Sequence, residues 1–535
     1  MNFDPRFYPY SSRRSMVFSK RGMVATSQPL AAQVGLEIMK RGGNAVDAAI
    51  AAATCLTVVE PTSNGIGGDA FALVWSGGKL WGLNSSGPAP QKISIQALTG
   101  AGHKELPRYG VNPVTVPGAP ACWAELSRRF GRVPLTESMR PAIEYAEAGF
   151  PVSPVVSSQW GEAFKIYRAQ RGEEFQCWFE TFAPLGRAPI AGEICRLPHH
   201  AATLAAIAET EAEVFYRGNL CEKIGAFFQR HSGFLAADDL AAFKPEWVEP
   251  VKIDYRGYDI WEIPPNGQGI VALMALNILK GFEFVTKDAA RTYHQQIEAV
   301  KLAFADGLKY IADIRRMRIK VSDLLSDSYA AKRRSLISDN AIDPLPGRPH
   351  RGGTVYLATA DGDGNMVSFI QSNYEGFGSG MVIPDTGIAL HNRGGCFSFD
   401  PDHDNCLAPG KKPYHTIIPG FLTKDGEAVG PFGVMGAFIQ PQGHAMVVSN
   451  TIDFQMNPQA ALDAPRFRWV GGRTVDVEVQ FPQHLAEALV RMGHDVRYGT
   501  VGDLRFGRGQ IIWRSKDGVL AGGSDPRADG QVAPW

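Results

Sequence analysis

The chain has 535 residues, too many for one ordinary domain, so two large units or one large intertwined unit are expected. Hydrophobic residues make up 44% and charged residues 20%, the balance of a globular protein. Lys+Arg and Asp+Glu both total 54, which excludes the basic excess that nucleic acid or an anionic membrane would select and leaves small polar molecules as the expected ligands. The opening MNFDPRFYPYSSRR lacks the apolar core of a secretory signal, and the longest weakly polar run, Ala48 to Val59, is too short to span a bilayer. Seven cysteines without a CxxC pair read as reduced thiols of a cytoplasmic protein.

In chain order, residues 22–60 read as a strand and two helices. Leu30, Val34, Ile38 and Met39 recur at helical spacing, Gly42–Gly43 stop that helix, and Asn44 caps an Ala-rich one from Ala45. After the turn PTSNGIGGDA, FALVW and KLWGL form a hairpin around Ser76–Gly78. Residues 117–320 are mostly helical, with a long helix from Thr292 to Asp313 and two short strands in VKIDYRGYDIWEIP. Asp339 to Gly353, rich in proline and glycine, is an exposed linker. Strands follow in TVYLATA, MVSFIQS, HTIIPGFL and FGVMG, with one late helix in PQHLAEALVRMGH. Together these segments predict a layered α/β body.

The linker delivers the chain into RGG-TVYLATA-DGDGN-MVSFIQS. A hairpin centred on Asp363 puts Thr354 opposite Ser372, each nine residues from the centre, and directly opposed side chains share a face. Two hydroxyls then stand side by side at a strand start. Gly352 and Gly353 tolerate unusual backbone angles, so the Thr354 hydroxyl can attack the Gly353 carbonyl and expose a new N-terminus. The freed α-amine, with a pKa of about 7.7–8.0, can act as base for its own hydroxyl. The same residues also read as a plain linker ending in a strand.

Other motifs point to structure. GIGGDA precedes a strand rather than opening a helix, so it is a tight turn and not a dinucleotide loop. DGDGN lacks the later ligands of a calcium loop and is the hairpin turn. DPDHDNC reads as a solvated loop, and His199–His200 have no partner at metal spacing.

The blocks GMVATSQPLAAQVG, RGGNAVDAAIAA, EPTSNGIGGDAF, VPGAPACW, PPNGQGIVALMALNIL, IEAVKLAFADGLKYIAD, GGTVYLATADGDGNMVS, GFGSGM, DAPRFRW and GGSDPRADG run in order from about Gly22 to Asp529. In these blocks the chain resembles the γ-glutamyltranspeptidase family of N-terminal-nucleophile hydrolases. The resemblance implies a four-layer αββα sandwich and one precursor cut into two interlocked subunits, here 1–353 and 354–535. It implies an acyl-enzyme on Thr354, with Ser372 at the place of a second hydroxyl. Met435–Ala437 fall where the family has Pro-Gly-Gly, so the backbone N–H groups of Gly436 and Ala437 take the oxyanion role.

The departures concern the substrate. Ser86 stands where glutathione-cleaving members carry an Arg for the α-carboxylate, and Gly395 or Cys396 where they carry an Asp for the α-amine. His415 and Thr416 replace a Ser-Ser pair, and Tyr374 replaces an Asn. Charge-assisted hydrogen bonds are worth roughly 1.5–3 kcal/mol each, so these losses disfavour glutathione. Arg393 with His415 and Thr416 either binds a carboxylate that has no neighbouring ammonium or forms a structural ion pair. The expected activity is an amidohydrolase acting on a small carboxylic-acid amide such as oxamate. The alternatives are a γ-glutamyltransferase or glutathione hydrolase, and a processed but inactive binding protein. No cofactor or metal is expected. The expected partners are a small-molecule amide and the two cleaved subunits, as a heterodimer or a dimer of heterodimers.

Overall fold

The computed structural model describes residues 3–4, 7–344 and 353–535. Of the expected linker, Pro346, Pro349 and Gly352 lie outside the described residues.

Two seven-stranded antiparallel sheets form the centre. The first runs, edge to edge, through Gln531–Pro534, Gly22–Thr26, Gly353–Asp361, Met366–Tyr374, Asp69–Ser76, Lys79–Ser85 and Glu246–Val248. The second runs through Val17–Ser19, Leu520–Ser524, Arg508–Arg514, Glu427–Met435, Gly420–Lys424, Tyr258–Glu262 and Val251–Tyr255. Strands from both sides of the Gly353–Thr354 bond interleave in each sheet, so neither side closes a sheet by itself. Gly353–Asp361 packs face to face on Glu427–Met435 and Arg508–Arg514. Helices Pro29–Lys40 and Ala45–Val59 cover the outer face of the first sheet, and Gly269–Leu279 and Gln440–Ile452 cover that of the second. This is the four-layer αββα sandwich, an α/β fold.

Local sequence explains the inner helix. Ala45–Val59 is buried along its whole length, and its small residues let it lie close against Gly353–Asp361. Asn44 caps it by accepting from Val46 and Asp47 N–H, while Asp47 accepts from Asn44 N–H. Such a reciprocal cap stabilises a helix by about 1 kcal/mol. Gly35 on the neighbouring helix is required by contact, since a Cβ there would stand 2.9 Å from the Ala48 carbonyl oxygen.

The Asp363-centred hairpin has the expected register from Ala360–Met366 to Val355–Gln371. The Asp361 carboxylate accepts from the N–H groups of Asp363 and Asn365, which makes DGDGN a turn. The expected strand from His415 begins only at Gly420. Residues 415–419 instead form a buried irregular segment, in which His415 exchanges backbone bonds with Asn266 and Gln268, and Pro419 ends it. Helices Gln440–Ile452 and Pro458–Asp463, and the strands from Phe467 onward, go beyond the single late helix read from sequence. Gln440–Ile452 is buried nearly all round, so it carries no polar stripe to reveal its period. Among the described residues no helix is long and apolar enough to cross a membrane. All seven cysteines are free thiols.

Candidate active site

Thr354 stands at the start of its strand, 1% exposed, with Oγ1 3.1 Å from Ser372 Oγ. The ladder shifts register here: Gly353 pairs with Tyr374, while Val355 pairs with Gln371. The Ser372 hydroxyl also accepts from Tyr374 N–H at 2.8 Å, and Tyr374 takes a left-handed φ of 72°. Such a conformation is costly for a bulky residue and persists only where its surroundings hold it.

From Tyr374 the contacts close a ring. The Arg393 guanidinium lies over the Tyr374 ring, 4.7 Å from its centroid, and donates through Nη1 to Thr416 Oγ1 at 2.7 Å. Gln268 Nε2 bridges the carbonyl oxygens of Thr416 (2.6 Å) and Ala437 (2.9 Å). Three residues after Ala437, Gln440 reaches back with Nε2 3.5 Å from Thr354 Oγ1. Gly436 (φ 129°) and Ala437 (φ 60°) form the strained turn between strand Glu427–Met435 and helix Gln440–Ile452. The structure thus brings Thr354, Ser372, Tyr374, Arg393, Thr416, Gly436 and Ala437 together.

His415 joins through Asp69, the residue paired with Ser372 on the next strand. Asp69 accepts from Arg393 Nε (2.9 Å) and Nη2 (3.1 Å) and from His415 Nε2 (2.7 Å), all fully buried. Burial would raise the Asp69 carboxyl, but Arg393 and then His415 hold it well below the usual carboxylate range. Burial, aided by Arg393 and opposed by Asp69, pushes the His415 imidazole down to about 4. The neutral ring donates from Nε2 to Asp69 and accepts Ile417 N–H at Nδ1 (3.3 Å). Arg393 is therefore engaged by a bidentate buried ion pair.

Asp69, Gln268, Gln440 and Arg508 were not legible as site residues. Arg508 Nη2 donates to the Thr354 carbonyl at 3.4 Å and Nη1 to Glu60 at 3.0 Å. A charged residue opening the apolar run DAFALVW was the one available signal for Asp69, because a buried charge needs a partner.

A cleft of about 980 Å³ lies beyond Tyr374, Glu375 and Cys396, and Asp343 and Pro344 line it as well. Elsewhere His294, Glu298 and His494 gather with metal-like spacing. Their atoms already serve one another. Lys301 Nζ is 2.7 Å from Glu298 Oε1 and 3.3 Å from His494 Nδ1, while the other His494 nitrogen meets His294 Nδ1 at 2.8 Å. His294 Nε2 reaches the Ser338 carbonyl at 2.7 Å. A lysine inside the cluster neutralises Glu298 and suits a hydrogen-bond relay rather than a cation.

The family model for gamma-glutamyltranspeptidase matches residues 31–535. The chain belongs to the γ-glutamyltranspeptidase family. It is 35% identical to the glutathione hydrolase-like YwrD proenzyme of Bacillus subtilis, covering 96% of this chain and 98% of that protein. It is 34% identical to the oxamate amidohydrolase proenzyme of Klebsiella pneumoniae, covering 97% and 99%. Among solved structures it is similar to cephalosporin acylase from Bacillus halodurans, with a TM-score of 0.96 and 61% identity over 100% of this chain and 99% of that one. As a γ-glutamyltranspeptidase-family hydrolase with proenzyme, acylase and amidohydrolase relatives, it acts on amide bonds.

Proposed function

We propose that this family member cuts itself between Gly353 and Thr354 into fragments 1–353 and 354–535, and that the freed Thr354 hydrolyses an amide whose acyl part carries a carboxylate. The supporting observation is the closed ring that sets Thr354 Oγ1 3.1 Å from Ser372 Oγ and within reach of Gln440, beside the Gly436–Ala437 turn. In the precursor, Oγ1 attacks the Gly353 carbonyl carbon, the acyl group passes from nitrogen to oxygen, and water hydrolyses the ester. Fragment 1–353 then ends in a carboxylate and Thr354 carries an amine. In turnover that amine takes the hydroxyl proton as Oγ1 adds to the substrate carbonyl. The N–H groups of Gly436 and Ala437 stabilise the oxyanion, and the proton passes to the leaving amine. Water then releases the acid by the reverse sequence.

Oxamate, an amide beside a carboxylate with no ammonium, is the smallest substrate of this class. A cleft of about 980 Å³ meets the site at Tyr374 and leaves room there for bulkier amides, small-molecule sites being roughly 300–1,000 Å³. The resemblance to a protein named as glutathione hydrolase-like supports a γ-glutamyl enzyme as second reading.

Thr354→Ala is expected to remain one chain on a denaturing gel, while Thr354→Ser is cut. Ammonia release from oxamate, amine release from dicarboxylic monoamides and glutamate release from glutathione are measured side by side. Faster cleavage of glutathione than of every carboxylate-only amide would overturn the substrate class. Absence of any turnover would favour a processed but inactive binding protein.

A further inference from the structure

Thr354 Oγ1 has two side-chain neighbours of different kinds, Ser372 Oγ at 3.1 Å and Gln440 Nε2 at 3.5 Å. Between the two hydroxyls either oxygen can donate. The amide has no such freedom. Gln440 Oε1 accepts the Ile418 N–H at 3.0 Å, and turning the amide over would set two N–H groups against each other. Gln440 and Ile418 are both fully buried, so no bulk water stands by to take the place of that acceptor. The main chain at Ile418 therefore fixes the NH2 end of Gln440 toward Oγ1.

The backbone ties the same residue to the strained turn. Gln440 N–H bonds to the Ala437 carbonyl, which also accepts from Gln268 Nε2 at 2.9 Å. Residues 436–440 thus carry the Gly436 and Ala437 N–H groups and the Gln440 amide on one short piece, where strand Glu427–Met435 passes into helix Gln440–Ile452. A donor held on rigid elements keeps its aim during reaction. An N–H aimed at Oγ1 favours negative charge on that oxygen and cannot take a proton from it. In a site shut off from water such a fixed dipole acts far more strongly than in solution. A separation of 3.5 Å is the outer limit of a hydrogen bond, and contacts of this kind shorten as charge develops.

We infer that Gln440 is a catalytic residue, whose amide NH2 stabilises the charge that gathers on Thr354 Oγ1 as that oxygen loses its proton and attacks. The inference rests on Thr354 as the nucleophile, proposed above, and adds a group that acts on the attacking oxygen rather than on the oxyanion. The amide keeps its own protons, so the Thr354 amine remains the base of turnover.

The test follows self-cleavage of the newly translated full chain on a denaturing gel, at about pH 5.5 and about pH 8.5, so that an introduced buried carboxyl is compared in its neutral and charged forms. Gln440→Glu keeps an acceptor for the Ile418 N–H, so a purely structural role predicts the wild-type rate. Ionised, the carboxylate turns an acceptor oxygen toward Oγ1, and splitting is expected about 10- to 100-fold slower than wild type, the scale of one charge-assisted bond. Protonated at the lower pH, its O–H donates to Oγ1, and at least about tenfold of the deficit relative to wild type should be recovered. Damage to the fold would not be repaired by acid. Gln440→Met, with neither group, should be slow at both pH values, and urea unfolding of each precursor reports its fold. A Gln440→Glu deficit that does not shrink on acidification, or a Gln440→Met chain that splits as fast as wild type, would overturn the role of Gln440 alone. A wild-type chain that never splits would overturn the reading of Thr354 together with it.

Discussion

Asp69 grips Arg393 through both carboxylate oxygens, at 2.9 and 3.1 Å, one strand away from Ser372. Both residues are fully buried, and the pair fixes the guanidinium that covers Tyr374. Breaking such a pair leaves an uncompensated buried charge, which costs about 3–5 kcal/mol. Asp69→Asn is expected to lose that much stability by denaturant unfolding and to slow self-cleavage. Asp69→Asn combined with Arg393→Met should recover part of the stability without restoring turnover. A single variant within 1 kcal/mol of wild type, on the order of a surface pair, would remove the pair from this structural role.

The Gly436–Ala437 turn makes two unequal predictions. A Cβ on Gly436 would meet Ile439 Cγ2 at 2.8 Å, and its φ of 129° is strained for any other residue. Gly436→Ala should therefore displace the proposed oxyanion donors and cut kcat about 100-fold or more. Ala437 already sits at φ 60°, a conformation costing about 1–2 kcal/mol in an L-residue. Ala437→Gly relieves that strain while adding unfolded-state entropy worth about 0.4–1 kcal/mol, so stability and kcat should change little. Equal losses in the two variants would mean that the turn does not act through its backbone.

Ser372 contacts both the Thr354 hydroxyl and the Tyr374 N–H. Ser372→Ala is expected to lower kcat about 10- to 100-fold with a smaller change in KM, because a bond to the nucleophile matters most as charge develops. Steady-state kinetics on any accepted amide decides it. A pure KM effect would assign Ser372 to substrate binding instead.

The hairpin carried most of what sequence could say about this site. A period of two and a polar turn were enough to bring Thr354 and Ser372 onto one face, and the register holds up to the shift beside Gly353. Asp69 and Gln440 were hidden because their roles depend on neighbours hundreds of residues or one sheet away, and no local spacing records that. Arg393 was legible as a residue near Thr416, but its partner Asp69 lies 324 positions earlier. The long helix Ala290–Tyr310 was readable from its helical periodicity although most of it is buried, whereas the buried helix Gln440–Ile452 offered no such period.

His200 gives a pH prediction outside the proposed site. It is buried against Phe182, and burial pushes its imidazole down to about 3. The unfolded chain protonates it near pH 6.5. Its contribution to stability is therefore complete above about pH 6.5 and falls as pH drops from there toward 3, at roughly 1.4 kcal/mol per pH unit. Burial pushes His391 and His415 to about 4, and His444 and His494 to about 3, so each adds to the same acid loss. His200→Gln removes one of these protons at every pH. Whatever its cost at pH 7, that cost should shrink by about 2 kcal/mol by pH 5 when urea midpoints are compared. A cost that stays constant between pH 7 and 5 would mean that His200 titrates alike in both states and that burial does not hold it neutral.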